Sequence, residues 1–139
     1  MKRVAMALTL VMALCAVTAE AGDYRYVSQA EMKTWLESNK EMLIVDIQPA
    51  KDFNRQHFAG AIETNAFPVK SDMERKQLNP ALAATQGNNK DVVVICPRGK
   101  GGAKNTYDYL KGNGVAENRL YILTDGMDNW PHKELVKQR

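Results

Sequence analysis

The chain has 139 residues, of which 45% are hydrophobic and 25% are charged. This is enough apolar sequence for the core of one globular domain, and it excludes a multidomain enzyme, a polytopic membrane protein and a disordered tail. The 19 Lys and Arg residues nearly balance the 16 Asp and Glu residues, and a net charge of +3 does not favour nucleic-acid binding. Two cysteines are too few for a disulfide-rich scaffold or a four-cysteine zinc site.

Residues 1–21 have the pattern of a secretory signal peptide. Lys2 and Arg3 precede an apolar run over residues 4–17, which is shorter than the ~20 residues that span a membrane. Small residues occupy the two positions that signal peptidase reads, Ala19 and Ala21. We therefore expect residues 1–21 to be removed, and residues 22–139 to form one exported, periplasmic domain without a membrane span.

Cys15 raises the alternative of a lipoprotein signal, in which a cysteine becomes the lipidated N-terminus. The residue before such a cysteine is normally small, whereas Leu14 is bulky, so we favour ordinary cleavage over a lipid anchor. Cys96 is then the one cysteine left for the chemistry of the folded domain. A single cysteine in an exported protein indicates either a reactive thiol or a buried, inert side chain.

The rest of the chain alternates predicted strands and helices. A strand at residues 24–27 is followed by a helix that a capping box of Ser28 and Glu31 opens and that continues to about Ser38. The apolar run 42–47 is typical of a strand buried on both faces of a parallel sheet. The next predicted elements are a short helix at 50–57, an extended piece at 60–62, a helix with a second capping box at 71–78 and a short helix at 79–87.

The most hydrophobic strand is predicted at residues 91–96, where four β-branched residues precede Cys96. A helix at 102–111, a strand at 119–123 and a charged tail at 133–139, interpreted as a solvated helix end, complete the chain. This alternation predicts an α/β fold with a mostly parallel central sheet and helices on both faces. Ligands of such folds bind beyond the carboxyl ends of the strands, and because Cys96 lies there, a reactive thiol is favoured.

A glycine-rich loop follows this strand, with the sequence Cys96-Pro97-Arg98-Gly99-Lys100-Gly101-Gly102-Ala103. Its three glycines let the backbone curl, so that successive N–H groups from Arg98 to Ala103 turn inward and bind an anion. The positive end of the next helix and the charges of Arg98 and Lys100 add to this effect. Such surroundings lower the pKa of a cysteine, so we expect Cys96 to be held as a thiolate beside an oxyanion substrate.

At this point the sequence resembles the rhodanese family, in its single-domain exported form. The strand 92–95 with Cys96 and its loop is similar to the active loop of that family. Residues 43–47, the pair Asp52-Phe53 and the segment 57–62 look like its upstream signature, and residues 123–127 with Trp130 are similar to its closing segment. The resemblance implies a three-layer rhodanese-like domain.

The resemblance further implies sulfur transfer through a persulfide on Cys96. Thiosulfate or a related anion is then the sulfur donor, and cyanide, a thiol or a partner protein is the acceptor. The implied substrate-binding residues are those of the loop, Arg98, Gly99, Lys100, Gly101, Gly102 and Ala103. Asp46 and His57 are expected to support the structure. No metal and no organic cofactor are expected.

Three positions depart from the family pattern, and a fourth departs from that of the cysteine phosphatases. Gly101 stands where the family often has an arginine, five residues after the cysteine, and Gln48 replaces the arginine of an Asp-x-Arg strand end. Asp125 replaces the first glycine of the closing pair. Gly102 stands where the cysteine phosphatases of this fold need an arginine, so phosphate and arsenate ester chemistry is not expected. The alternative to an enzyme is a sulfur carrier or oxyanion-binding module that serves a dedicated partner protein.

Overall fold

A computed structural model describes residues 23–139 of the chain. The predicted signal peptide, including Cys15, lies outside the described residues. The strands are β1 (Tyr26–Val27), β2 (Met42–Asp46), β3 (His57–Phe58), β4 (Ile62–Glu63), β5 (Asp91–Ile95), β6 (Leu120–Leu123) and β7 (Val136–Lys137). The α-helices are α1 (Gln29–Glu37), α2 (Ala50–Arg55), α3 (Asp72–Lys76), α4 (Asn79–Thr85) and α5 (Gly101–Gly112), and short 3₁₀ helices cover Glu117–Arg119, Met127–Asn129 and Lys133–Leu135.

Five strands form one sheet in the order β1-β6-β5-β2-β4, and all four neighbouring pairs are parallel. The longest pairing joins β2 to β5, with Met42 opposite Asp91 and Asp46 opposite Ile95. Because both strands are buried through their carboxyl-terminal halves, their sequences are continuous apolar runs rather than alternating ones. The predicted mostly parallel α/β sheet is therefore confirmed.

Two apolar clusters cover the two faces of the sheet. On one face, Val92 and Val94 pack in a cluster with Tyr107 and Leu110 of α5. On the opposite face, Val93 packs in a cluster that includes residues of α1 and the C-terminal segment. Burying a side chain of this size contributes about 1.5–3 kcal/mol. Consecutive valines of β5 point to opposite faces of the sheet. Each face therefore needs its own cover, and the domain has three layers.

Local polar contacts fix the starts of two helices. The Ser28 hydroxyl accepts the N–H of Glu31 and begins α1, as the sequence predicts. Ser71 and Glu74 form a complete capping box at α3. Within residues 23–139, no helix is long and apolar enough to cross a membrane.

The C-terminal tail differs from its prediction. Instead of a solvated helix end, it forms a short 3₁₀ helix and then β7, which pairs antiparallel with β3. His57, predicted at the end of a helix, lies in β3 opposite Lys137. The ion pair of Arg139 with Glu63 also fixes the tail against the domain, at 2.9 Å.

Candidate active site

Cys96 is the first residue after β5, at the carboxyl edge of the parallel sheet. It is a free cysteine and only 2% exposed. The strand before it is held by the central sheet, and the Ile95 carbonyl oxygen accepts the N–H of Ile47 at 2.9 Å. The position of the sulfur is therefore set by the most deeply buried strand of the domain.

The backbone of the loop surrounds the Cys96 sulfur with N–H groups. The N–H of Gly99 donates to Sγ at 2.8 Å. Burial raises the pKa of the thiol, while hydrogen bonds from the backbones of Arg98, Gly99, Lys100 and Ala103 lower it, and burial has the larger effect. The expectation of a lowered pKa is therefore wrong, because burial removes the thiol from water and disfavours the thiolate more than the backbone donors favour it.

The three glycines of the loop differ in what a side chain would meet. Gly99 has a φ of +69°, and a Cβ there would lie 2.8 Å from the Leu123 carbonyl oxygen. Gly102 has no such backbone constraint, but a Cβ would lie 2.9 Å from a carbon of the Phe67 ring. At Gly101 a Cβ would meet nothing within 4 Å. Conformational freedom therefore explains Gly99, and close packing explains Gly102.

The turn after β6 supports the loop from below. The N–H groups of Met127 and Asp128 donate to the carbonyl oxygens of Cys96 and Pro97, both at 2.9 Å. A Cβ on Gly126 would lie 2.5 Å from three backbone atoms of the loop, so only glycine fits there. Asp125 has a φ of +64°, a conformation that glycine adopts without strain and that an aspartate adopts only at some cost.

A pocket of about 510 Å³ opens above Cys96. It is lined by Pro49, Asp52, Phe67, Pro68, Lys70, Cys96, Pro97, Arg98, Lys100, Gly101, Gly102 and Asp128. Among the predicted substrate-binding residues, Arg98, Lys100, Gly101 and Gly102 therefore border it. Gly99 and Ala103 are buried, and their backbone hydrogen bonds act on the thiol instead.

Cations dominate the mouth of this pocket. The side chains of Lys70, Arg98 and Lys100 are exposed. The two carboxylates that line the pocket, Asp52 and Asp128, lie 3.4 and 3.7 Å from the guanidinium of Arg55. Since Arg55 offsets part of their charge, the net field at the mouth is positive and favours an anionic ligand.

Asp46 belongs to a buried polar network behind the pocket. Its carboxylate accepts the backbone N–H and the side-chain amide of Gln48, at 2.9 and 3.0 Å. Burial raises the pKa of Asp46 to about 7, against the opposing effect of these hydrogen bonds. The Gln48 amide also donates to the Gln56 carbonyl oxygen, and the Gln56 amide donates to the Met127 carbonyl oxygen at 3.2 Å. The network therefore links the end of β2 to the turn that supports the loop.

His57 lies outside the pocket lining. Its ring stacks on Phe53 with 4.1 Å between centroids, and its Nδ1 lies 2.8 Å from the Phe53 carbonyl oxygen. These contacts are those of a packing residue. A larger groove of about 850 Å³ is bordered by the ends of α2 and β7, but no cysteine, serine or threonine lines it. Within the described part of the chain, no group of three or more His, Cys, Asp or Glu side chains has the geometry of a metal site.

One wall of the pocket was not predicted from the sequence. Phe67, Pro68 and Lys70 come from the connection between β4 and α3, which has no periodicity that would identify it. The sequence feature that could have indicated this wall is an aromatic residue followed by proline, Phe67-Pro68, between two predicted elements.

Residues 28–133 match the rhodanese-like domain family. No curated protein sequence matches the chain. Among solved structures, a rhodanese-like domain protein from Staphylococcus aureus is 20% identical, with a TM-score of 0.60 over 83% of this chain and 98% of that one. The As-Sb reductase from Leishmania major is 17% identical, with a TM-score of 0.63 over 84% and 87%. A Saccharomyces cerevisiae homologue of single-domain rhodanese and of a phosphatase catalytic domain is 17% identical, with a TM-score of 0.62 over 81% and 86%.

These structural relatives share the fold, and the match over residues 28–133 covers most of the chain. The chain belongs to the rhodanese-like domain family.

Proposed function

We propose that the chain is an exported sulfurtransferase that moves sulfane sulfur through a persulfide on Cys96. The observation that carries this proposal is the placement of the Cys96 sulfur among backbone donors at the base of a pocket with a cationic mouth. The Gly99 N–H already donates to the sulfur at 2.8 Å. Such donors stabilise negative charge without reorganisation during the reaction, as an oxyanion hole does.

The first half-reaction is a displacement at sulfur. The Cys96 thiolate attacks the outer sulfur of thiosulfate, a new S–S bond forms, and sulfite leaves with the electrons of the broken S–S bond. The thiol proton has passed to water beforehand, and no oxidant or reductant is needed. Arg98 and Lys100 at the mouth hold the sulfonate, and the loop N–H groups stabilise the terminal sulfur of the persulfide.

In the second half-reaction a nucleophilic acceptor attacks the outer sulfur of the persulfide. Cys96 leaves as a thiolate and the acceptor keeps the sulfur. Phosphoryl chemistry has less support, because position 102 holds a glycine beneath the Phe67 ring rather than an arginine that could clamp a phosphate.

Mass spectrometry of the full chain tests the proposal. After incubation with thiosulfate we expect the protein to gain the mass of one sulfur atom, on the peptide that contains Cys96, and cyanide to remove it. Cys96→Ser should gain nothing. Gain of the same mass by the variant, or no gain with thiosulfate and other sulfane donors, would overturn the proposal.

The buried thiol also favours a second candidate, a sulfur carrier. A 2% exposed cysteine with a raised pKa is a poor nucleophile toward free small molecules, and this suits a site that reacts only with a docked partner. An enzyme turns over repeatedly with thiosulfate and cyanide, whereas a carrier keeps a stable persulfide until its partner is added.

Export is part of the proposal and rests on residues 1–21 alone. Expression of the full chain in a bacterium, followed by fractionation, should place a shortened protein that begins at Gly22 in the periplasm. Full-length protein in the cytoplasm would overturn export, and a lipid-modified Cys15 would replace cleavage after Ala21 with anchoring.

A further inference from the structure

The connection between β4 and α3 contributes an aromatic ring to the wall of the pocket. Phe67 is 39% exposed, one of the few large apolar side chains among residues 23–139 that reaches solvent. Its ring lies directly over Gly102, where a Cβ would come within 2.9 Å of it. The ring therefore stands between the start of α5 and the open pocket above Cys96.

The backbone around Phe67 is hydrogen-bonded to the central sheet and contains a strained residue. Its backbone N–H donates to the Ile47 carbonyl oxygen at 2.9 Å, which extends the edge of the central sheet. Val69, two residues later, is buried and has a φ of +59°, a conformation that β-branched residues rarely adopt. Strain of this kind persists where the surrounding structure enforces it, and it clusters at ligand sites.

Three cations line the same pocket as the ring. Lys70 lies three residues from Phe67 and borders the same pocket, as do Arg98 and Lys100. None of these three cations forms an ion pair with a residue of the described range. The pocket therefore offers an apolar face on one side and cations at its mouth. A volume of about 510 Å³ is in the range of pockets for organic molecules, whereas thiosulfate and cyanide are much smaller and have no apolar part to contact the ring.

We propose that Phe67 and Lys70 determine which thiol accepts the sulfur, and that they select a small organic thiol with an apolar body and an acidic group. The proposal rests on the proposed sulfurtransferase function. The thiolate of the acceptor attacks the outer sulfur of the Cys96 persulfide, the S–S bond to Cys96 breaks, and Cys96 leaves as a thiolate. The organic product is a persulfide, and no redox partner takes part. Phe67 contacts the apolar body, and Lys70 attracts the acidic group.

Single-turnover discharge of preloaded persulfide tests the acceptor step without the donor. The probes are para-mercaptomethylbenzoate, β-mercaptopropionate and β-mercaptoethanol, which carry a ring with an acid, an acid alone and neither group. The full chain is loaded with thiosulfate, excess donor is removed, and loss of the sulfur from Cys96 is followed by mass spectrometry. Each rate is compared with the wild-type rate for the same thiol, so that the intrinsic nucleophilicity of the thiol cancels.

For Phe67→Ala we expect the rate with para-mercaptomethylbenzoate to fall about tenfold, the size of a lost aromatic contact, and the other two rates to stay unchanged. Phe67→Leu keeps an apolar side chain over Gly102 and should lose less. Lys70→Gln should slow both acidic thiols about threefold and leave β-mercaptoethanol unchanged. Tyr26→Ala, which removes another exposed aromatic ring, outside the pocket, is the control and should change no rate.

The outcomes separate this inference from the proposed function. If no persulfide forms on Cys96, the proposed function fails and the inference fails with it. If the persulfide forms but Phe67→Ala slows all three thiols equally, or none, the ring has only a structural role and the inference is overturned. Equal slowing of β-mercaptoethanol by Lys70→Gln would overturn recognition of the acidic group.

Discussion

Two glycines of the loop, Gly99 and Gly101, are close in sequence but differ in what a methyl group would meet. At Gly99 the φ is +69°, and a Cβ would lie 2.8 Å from the Leu123 carbonyl oxygen and 3.0 Å from the Asp125 nitrogen. At Gly101, the first residue of α5, a Cβ would meet nothing within 4 Å. We therefore compare Gly99→Ala with Gly101→Ala. Both variants lose a glycine, but only Gly99→Ala introduces strain and close contacts into the loop.

The cost of Gly99→Ala has two parts. A left-handed backbone conformation costs an alanine about 1–2 kcal/mol. The close contacts are with backbone atoms that cannot rotate away, and overpacking of this kind costs about 1–3 kcal/mol. We therefore expect the free energy of unfolding to fall by about 2–5 kcal/mol. Gly101→Ala should leave it unchanged or raise it by up to about 1 kcal/mol, because alanine is the better helix former.

The same pair tests the link between the loop and the chemistry. Removal of one donor from an oxyanion hole costs about 10²–10³ in rate, and Gly99→Ala displaces the N–H that donates to Cys96. We expect persulfide formation from thiosulfate to slow at least about tenfold in Gly99→Ala and to be unchanged in Gly101→Ala. Urea unfolding followed by tryptophan fluorescence and the rate of sulfur gain measure the two effects. Equal unfolding midpoints, or equal rates for the two variants, would refute the reasoning.

Three further predictions concern titration and backbone strain. Because the pKa of Asp46 is raised to about 7, the folded state binds more protons than the unfolded state between about pH 4 and 7, so the free energy of unfolding should fall by up to about 3 kcal/mol from about pH 5 to about 8. Urea titrations at both pH values should show a smaller fall for Asp46→Asn, and an equal fall would contradict the assignment. Because burial raises the pKa of Cys96, its alkylation by iodoacetamide, measured on the Cys96 peptide, should keep rising through about pH 9, and a plateau near neutral pH would contradict this direction. Asp125→Gly should raise the free energy of unfolding by about 0.5–1 kcal/mol, since it removes a left-handed aspartate, and a lower unfolding midpoint would show that the aspartate is stabilising.

The central elements of the fold could be predicted because their signals are local. The continuous run of β-branched residues in β5 identifies a strand buried on both faces, and the structure buries Val92, Val93 and Val94 completely. The capping serines, Ser28 and Ser71, mark the starts of α1 and α3 in both sequence and structure. The position of Cys96 follows from these elements, because the carboxyl end of a central parallel strand is fixed once the strand is found.

The missed elements depend on contacts between distant parts of the chain. β3 and β7 contain two residues each, and their pairing joins His57 to Lys137 across most of the domain. A strand of two residues has no periodicity, so nothing in the sequence of the tail distinguishes it from a solvated end. The position of Phe67 in the pocket wall was missed for the same reason. It depends on a backbone hydrogen bond to Ile47, and no sequence pattern connects these two segments.

The predicted thiolate shows why charge in a sequence is a weaker guide than position in a structure. Arg98 and Lys100 lie two and four residues after the cysteine in the chain, yet their side chains are exposed and are not among the groups that shift its pKa. The groups that do act on the sulfur are backbone N–H donors, which every residue except proline carries and which no composition reveals. The side chains and the backbone of the loop thus have different roles. The side chains attract an anion, and the backbone stabilises negative charge on the sulfur. Burial outweighs the backbone donors in setting the pKa of the thiol. The full benefit of those donors therefore comes when the sulfur that they surround carries a negative charge.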